Sequence, residues 1–332
     1  MEARASMLDR VGVVVIGRNE GERLRICLGS LGALAGRTVY VDSGSSDGSV
    51  GIARSMGVAV LELDPGQPFT AARGRNEGCR RLRQLAPGAT MVQFVDGDCE
   101  LVAGWIEQAA AWLEGQREVA AVCGRRRERF PRQSVYNFLC DCDWDTPVGE
   151  TKACGGDVLV RIDAFEAVSG YRINMIAGED PEFCVRLRQA GWRVWRLDGE
   201  MTRHDAAMTR LGQWWKRTLR SGYAFAQGAR LHGAPPERHC VRESRSAWVW
   251  GLGLPLAAVG AGWCWGVWPA GLVLLLYPLQ IARLALRGRH SAGDNWRYAS
   301  FIVMGKIPEM LGQMKYLLER GLGAQSRLIE YK

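Results

Sequence analysis

Asp96, Gly97 and Asp98 set two carboxylates one glycine apart at the end of the apolar run MVQFV. Like charges this close repel, and a divalent cation bound between them removes the repulsion. Hard oxygen ligands suit Mg2+ or Mn2+. The same residues also read as an exposed Asp-Gly turn, so the outcome depends on what else gathers there. Farther along, Glu179, Asp180 and Glu182 open a helical pattern with Pro181 in its first turn. The helix macrodipole accounts for one acid at such a start and leaves a surplus. Arg75 lies near the beginning of an arginine-bearing helix, where an anion is favoured. His204 follows the last apolar strand, either as a structural histidine or as part of the same site.

The elements that must position these groups alternate. Strand patterns at Val11 to Ile16, Thr38 to Val41, Val58 to Leu63, Met91 to Val95 and Val119 to Cys123 are separated by helical spacings. This is the signature of an α/β fold with a mostly parallel sheet flanked by helices. Asp96 and Asp98 then fall at a strand's C-terminal end, where open α/β sheets bind ligands. So does the polar loop Asp42 to Ser49, which can hydrogen-bond a ribose or base, or cap the next helix. The first strand runs into Gly17-Arg18-Asn19-Glu20 with no G-x-G-x-x-G, which argues against a dinucleotide-binding turn. Arg125, Arg126, Arg127, Arg129 and Arg132 form either a solvated run or an anion- or lipid-facing patch. Cys140, Cys142 and Cys154 offer a weak zinc pattern. Trp214 and Trp215 beside Lys216 and Arg217 suit either core packing or a surface that meets sugars or lipid headgroups.

The chain has 332 residues, 47% hydrophobic and 23% charged, with a net charge of +8. That composition is globular, and the positive charge favours phosphates, nucleotides or anionic lipid. No nucleic-acid-binding motif accompanies it. The ten cysteines are scattered, consistent with reduced thiols. The mixed-charge N-terminus and the short apolar run after it do not make a secretory signal.

Ala247 to Ala282 contains no charged side chain and five tryptophans. A span needs ~20 apolar residues, so this stretch suits two short spans turning near Gly262 to Pro269. One tilted span or a re-entrant segment is the alternative. Arg242 and Arg245 precede it, and Arg283, Arg287 and Arg289 follow. Basic flanks on both sides predict cytosolic ends. The expected organisation is a catalytic domain over 1–240, a membrane or re-entrant hairpin over 247–283 and an amphipathic tail over 290–332.

The order of motifs resembles the family 2 glycosyltransferases. Val39 to Ser49 is similar to that family's V-D-D-G-S-x-D-G-T, and Gly74-Arg75-Asn76-Glu77-Gly78 to its A-R-N-x-G. Asp96-Gly97-Asp98 is similar to its D-x-D. Gly155-Gly156 with Gly170-Tyr171 resembles G-G-N…G-G-F, and Gly178-Glu179-Asp180 resembles its E-D motif. Gln213 to Arg217 is a loose echo of Q-x-x-R-W. The resemblance covers about Val11 to Leu231.

The resemblance implies a GT-A fold and transfer of a sugar from a nucleotide-diphosphate sugar to a hydroxyl acceptor, inverting and dependent on Mg2+ or Mn2+. It implies Asn19, Glu20, Asp42, Ser43, Arg75 and Asp96 on the donor, Asp98 and His204 on the metal, and Asp180 as general base with Glu179 beside it. Ser43 replaces the second acid of the D-D pair, which leaves the donor nucleotide open. Asp157 stands where the family has Asn. Members with such a hydrophobic tail often build cell-surface polysaccharide or lipid-linked glycans. The expected acceptor is therefore lipid-linked or a glycan, with membrane lipid as a second partner and no nucleic acid. The expected location is the inner (cytoplasmic) membrane, catalytic domain in the cytosol. Two alternatives stand beside this: a nucleotidyltransferase, and a non-catalytic membrane-anchored sugar-nucleotide-binding protein.

Overall fold

A computed structural model describes residues 7–323 of the chain. It divides into two compact units, Met1–Met175 with Glu179–Ala207, and Ile176–Gly178 with Met208–Lys332. The first is an α/β unit of the GT-A type built on one nine-stranded sheet.

Strand β1 (Val11–Gly17) is β-branched at most positions and buried through Val15. It pairs in parallel with β2 (Thr38–Asp42) and β4 (Met91–Asp96), and β2 pairs in parallel with β3 (Ala59–Glu62). Buried on both faces, β1, β2 and β4 read as nearly continuous apolar runs, whereas the edge strand β3 is only half-buried. Beyond β4 the sheet is mixed. Its order is β3-β2-β1-β4-β8-β6-β9-β5, with β7 (Gly149–Glu150) on β9. Strand β8 (Val158–Arg161) is antiparallel to β4 and to β6 (Val119–Glu128). Strand β9 (Arg193–His204) runs parallel to β6, and β5 (Cys99–Leu101) is antiparallel to β9.

Two of these strands are longer than apolar patterning predicts. β6 continues past Cys123 through Arg125, Arg126 and Arg127 to Glu128, and β9 continues past Leu197 to His204. Their pairing shifts register between Cys123 and Arg125 and again before Arg126. Such irregularities re-aim side chains at sheet ends.

Helix α1 (Glu22–Ser30) follows β1, α2 (Ser49–Ser55) follows β2, and α3 (Ala71–Leu85) follows β3. Thr70 caps α3 by accepting a hydrogen bond from the backbone N–H of Arg73. Gly74 and Gly78 let α3 lie close on the sheet: a Cβ at Gly78 would stand 2.4 Å from Cγ1 of Val14. Helix α4 (Trp105–Glu114) buries Trp105, whose indole N–H donates to Gln93. Then come α5 (Val135–Asp143), α6 (Ile162–Ala167) and α7 (Glu179–Gln189).

The second unit is helical. Helix α8 (Leu211–His232) packs along Lys306–Gly321. Small residues bring the two backbones together: a Cβ at Gly222 would stand 1.9 Å from the carbonyl oxygen of Glu309. Trp214 is buried with its ring 5.1 Å from that of Phe301, the core-packing alternative for that tryptophan. Two helical stretches, Val241–Trp265 and Val267–Ala285, are long and apolar enough to cross a membrane, and they turn at Gly266, which has φ +93°. Trp263, Trp265 and Trp268 around that turn are strongly exposed. The last part of the expected 290–332 tail, 324–332, lies outside the described residues.

Candidate active site

The sheet brings Asp98 and His204 together. β5 pairs Cys99 with His204, so the residue before Cys99 meets the end of β9. Nε2 of His204 lies 3.2 Å from Oδ2 of Asp98, and both side chains are buried. Burial foremost, and the positive charge of Arg126 next, hold the imidazole below its usual pKa, against the pull of Glu128. The ring is therefore neutral near pH 7, with a lone pair to offer.

Arg75 organises a second cluster. Its side chain is 3% exposed. Nη2 donates to Oδ1 of Asp96 at 2.9 Å, and Nη1 donates to Oε1 of Glu179 and Oδ1 of Asp180, each at 3.0 Å. Its guanidinium carbon also lies 5.3 Å from the ring centre of Tyr171. Gly156 leaves room for this pair. Glu179 is buried, whereas the Asp180 side chain is 21% exposed. Burial raises the Asp180 pKa to about 7; Arg75 opposes this, while the charges of Glu179 and Asp96 add to it. A carboxylate that titrates near neutrality and reaches solvent can accept a proton from an incoming group.

Arg126 links the two clusters. It donates to Oδ2 of Asp96 at 2.6 Å and pairs with Oδ2 of Asp157 at 3.0 Å. Trp144 lies beside it, its ring 5.2 Å from the guanidinium carbon and 4.7 Å, edge to face, from the ring of His204. Although burial pushes the Asp96 pKa up, Arg75 and Arg126 hold it well below the ordinary carboxylate range. Asp157 accepts hydrogen bonds from the Asp96 backbone N–H at 2.9 Å and from Thr202 Oγ1 at 2.6 Å. An acid here supplies a counter-charge to Arg126 that Asn would not.

The remaining expected donor residues form one loop cluster. Asp42 is buried and accepts from the hydroxyls of Tyr40 and Ser45 and from the backbone N–H groups of Gly44 and Ser45. Its carboxylate shapes the loop from within. Asn19, at φ 56°, accepts from the Ser46 N–H at 2.8 Å, and its own N–H donates to Ser45 Oγ at 2.9 Å. The Glu20 N–H donates to Ser49 Oγ. Ser43 is half-buried, its N–H bound to the Gly17 carbonyl.

Two groups of side chains among the described residues could hold a metal ion: Asp98, Cys99 and His204, and Asp96, Cys99 and Asp157. Both carboxylates of the second already face Arg126. In the first, the Cys99 thiol donates to Oδ1 of Asp98 at 3.6 Å and its sulfur accepts from Nη2 of Arg126 at 3.0 Å, so it is already engaged. Asp98 and His204 remain as donors. Nδ1 of His204 is buried and makes no hydrogen bond, while Nε2 faces Oδ2 of Asp98 at 3.2 Å. The residues fit a divalent cation through one carboxylate and one imidazole. Cys140, Cys142 and Cys154 belong to neither group.

Sequence reasoning missed Arg126, Glu128 and Trp144 as site residues. The basic run that contains Arg126 is tied to acids: Arg125 to Asp141 and Asp145, Arg127 to Glu200, and Arg129 to Glu100. The available signal was the alternation along β6, which puts Arg126 and Glu128 on one face.

Comparison with known proteins bears on the family and the fold. Residues 12–138 match the family model described as Glycosyl transferase family 2. The chain is 29% identical over 192 residues to the succinoglycan biosynthesis protein ExoA of Rhizobium meliloti (strain 1021), covering 53% of this chain and 55% of that protein. It is 26% identical over 204 residues to the glycosyltransferase AglE of Haloferax volcanii, covering 57% and 64%. It thus spans less than two thirds of either relative's length. Among solved structures, the mannosyltransferase PcManGT from Pyrobaculum calidifontis, in complex with GDP-Man and Mn2+, matches with a TM-score of 0.59 at 18% identity, over 92% of this chain and 87% of that one. The family match over residues 12–138 and the two relatives make this chain similar to the family 2 glycosyltransferases, and its fold is that of the mannosyltransferase.

Proposed function

We propose that the protein is an inverting, metal-dependent glycosyltransferase that moves a sugar from a nucleotide-diphosphate sugar to a hydroxyl acceptor. The observation that carries this reading is the separation of two acid clusters. Asp98 lies with His204, and Asp180 lies with Arg75 and Glu179, partly open to solvent. In the reaction, an acceptor oxygen forms a bond to the anomeric carbon while the bond from that carbon to the diphosphate oxygen breaks. The electron pair leaves with the diphosphate. The acceptor proton passes to Oδ of Asp180. Attack on the face opposite the leaving group inverts the carbon.

Arg75 holds Asp180 and Glu179 in place and, with Arg126, keeps Asp96 charged beside the donor. Asn19, Glu20, Asp42 and Ser43 build the loop expected to meet the nucleotide. Asp98 and His204 would hold Mn2+ or Mg2+, which when bound neutralises charge on the leaving diphosphate. The fold relative solved with GDP-Man and Mn2+ supports a nucleotide-sugar donor and a metal.

A lipid-linked or glycan acceptor in cell-surface polysaccharide synthesis is supported by the name of the Rhizobium relative and by the two apolar helices. We place those helices in the inner membrane with the catalytic domain on the cytosolic side, because both flanks are basic.

The test is a panel of nucleotide-diphosphate sugars with Mn2+, read first by thermal shift and then by sugar transfer or release. A matched donor should raise Tm in the parent and in Asp180→Asn, but only the parent should turn it over. Donor binding without turnover in the parent indicates the non-catalytic binder. Release of pyrophosphate from a nucleoside triphosphate indicates the nucleotidyltransferase.

A further inference from the structure

His204 stands between two carboxylates. Nε2 faces Oδ2 of Asp98 at 3.2 Å, and Nδ1 faces Oε2 of Glu128 at 3.6 Å. Glu128 and His204 are partners in register at the ends of β6 and β9, so the sheet itself sets them side by side. The Glu128 side chain is completely buried. Three donors hold it there. Oε1 accepts from the Phe130 backbone N–H at 3.1 Å and from Asn137 Nδ2 at 3.2 Å, and Oε2 accepts from the Ala206 backbone N–H at 3.0 Å. Ala206 lies two residues beyond His204, and Asn137 is on α5. The carboxylate is therefore clamped from its own strand's continuation, from a helix, and from the chain leaving β9.

This is an expensive group to bury if its work is only to tie three N–H donors. Nδ1 of His204 is buried too and makes no hydrogen bond. It would be satisfied by a small closure onto Oε2 of Glu128. A neutral imidazole carries one proton, and the nitrogen that keeps it decides which lone pair is offered.

We propose that Glu128 is a positioning residue for the metal ligand His204. It accepts a hydrogen bond from Nδ1–H, sets that tautomer, and leaves the Nε2 lone pair directed to the cation shared with Asp98. The inference rests on the reading of Asp98 and His204 as metal ligands. Carboxylates in this outer position typically hold the ring orientation of a ligating histidine and raise its basicity.

The test measures Mn2+ affinity of the full chain by electron paramagnetic resonance of the free ion, together with nitrogen NMR of His204 in protein loaded with diamagnetic Cd2+. Glu128→Gln should weaken Mn2+ binding about 10–100-fold, and His204→Ala at least as much. In the unaltered protein with Cd2+, Nδ1 should carry the proton and Nε2 should show metal coupling. That spectrum needs no variant, so misfolding of Glu128→Gln would not remove the test. A bare Nδ1 in the loaded protein overturns the inference. So does wild-type Mn2+ affinity in Glu128→Gln alongside loss in His204→Ala, which leaves the metal site itself standing. Wild-type affinity in His204→Ala would instead sink the metal reading, and Glu128 with it.

Discussion

Gly156 leaves the space that the Arg75 guanidinium fills: a Cβ there would stand 2.2 Å from Nη2 of Arg75 and 3.1 Å from Oδ2 of Asp96. Gly156→Ala should therefore push apart the Arg75–Asp96 pair. Overpacking of this kind costs about 1–3 kcal/mol. Urea unfolding should show that loss, and sugar transfer should fall more than stability does, because the displaced guanidinium also holds Asp180. Unchanged transfer would mean that the pair is not part of the site.

Arg75→Lys tests the three-carboxylate hub. An ammonium is a single point charge and cannot reproduce a planar fork that donates to Asp96, Glu179 and Asp180 together. Leaving one or more of these buried carboxylates without its donor costs about 1–3 kcal/mol. Thermal melts should show a large drop in Tm. Arg75 opposes the upward shift of Asp180, so any remaining activity should need a higher pH.

Asp180 gives a pH signature. With a pKa raised to about 7, chiefly by burial, the base is unprotonated only above that point. kcat/KM should climb with pH and level off above about 7, and Asp180→Asn should lose about 10²–10⁴-fold with no such limb. The stability trend has the opposite sign. The folded protein holds this proton more tightly than the unfolded chain does, so the group's contribution falls as pH rises from the unfolded pKa through about 7. Asp180→Asn should match the parent in acid and exceed its Tm at pH 8. A flat profile in the parent would reassign the base.

Metal removal should separate the two clusters. EDTA should abolish transfer, and Mn2+ should restore it. At a Mn2+ concentration of 100 Kd the ion stabilises by about 2.7 kcal/mol. That shift should vanish in Asp98→Asn and persist in Asp180→Asn. Equal shifts in both would mean that the ion binds elsewhere.

Asp157→Asn replaces the counter-charge of Arg126 by a neutral amide. Arg126 would keep Asp96 alone, and the hydrogen bond from Thr202 would lose its charged acceptor. A loss of about 1–3 kcal/mol follows from leaving buried partners poorly satisfied. A double-mutant cycle with Arg126→Gln should show strong coupling; additive losses would mean the pair does not act as a unit.

Much of the architecture was legible in the chain. The strands at Val11, Thr38 and Met91 announce themselves because parallel strands buried on both faces must be apolar throughout. The turns after them hold polar residues because ligands meet these sheets at strand ends. The uncharged stretch from Ala247 to Ala282 marks two long apolar helices on composition alone.

By itself, the sequence determined the α/β alternation, the acids at strand ends and helix starts, and the apolar helices. Only the tertiary structure decided which charges meet. Arg75 reaches Asp180 across 105 positions, and Arg126 reaches Asp96 across 30. Nor does the sequence show that β6 and β9 continue through charged residues to place Glu128 beside His204. The reason is physical. Local periodicity reports the burial of apolar side chains, whereas a strand end buried behind ion pairs carries no apolar period. Its partners are chosen by the folded sheet, and spacing along the chain holds no record of them.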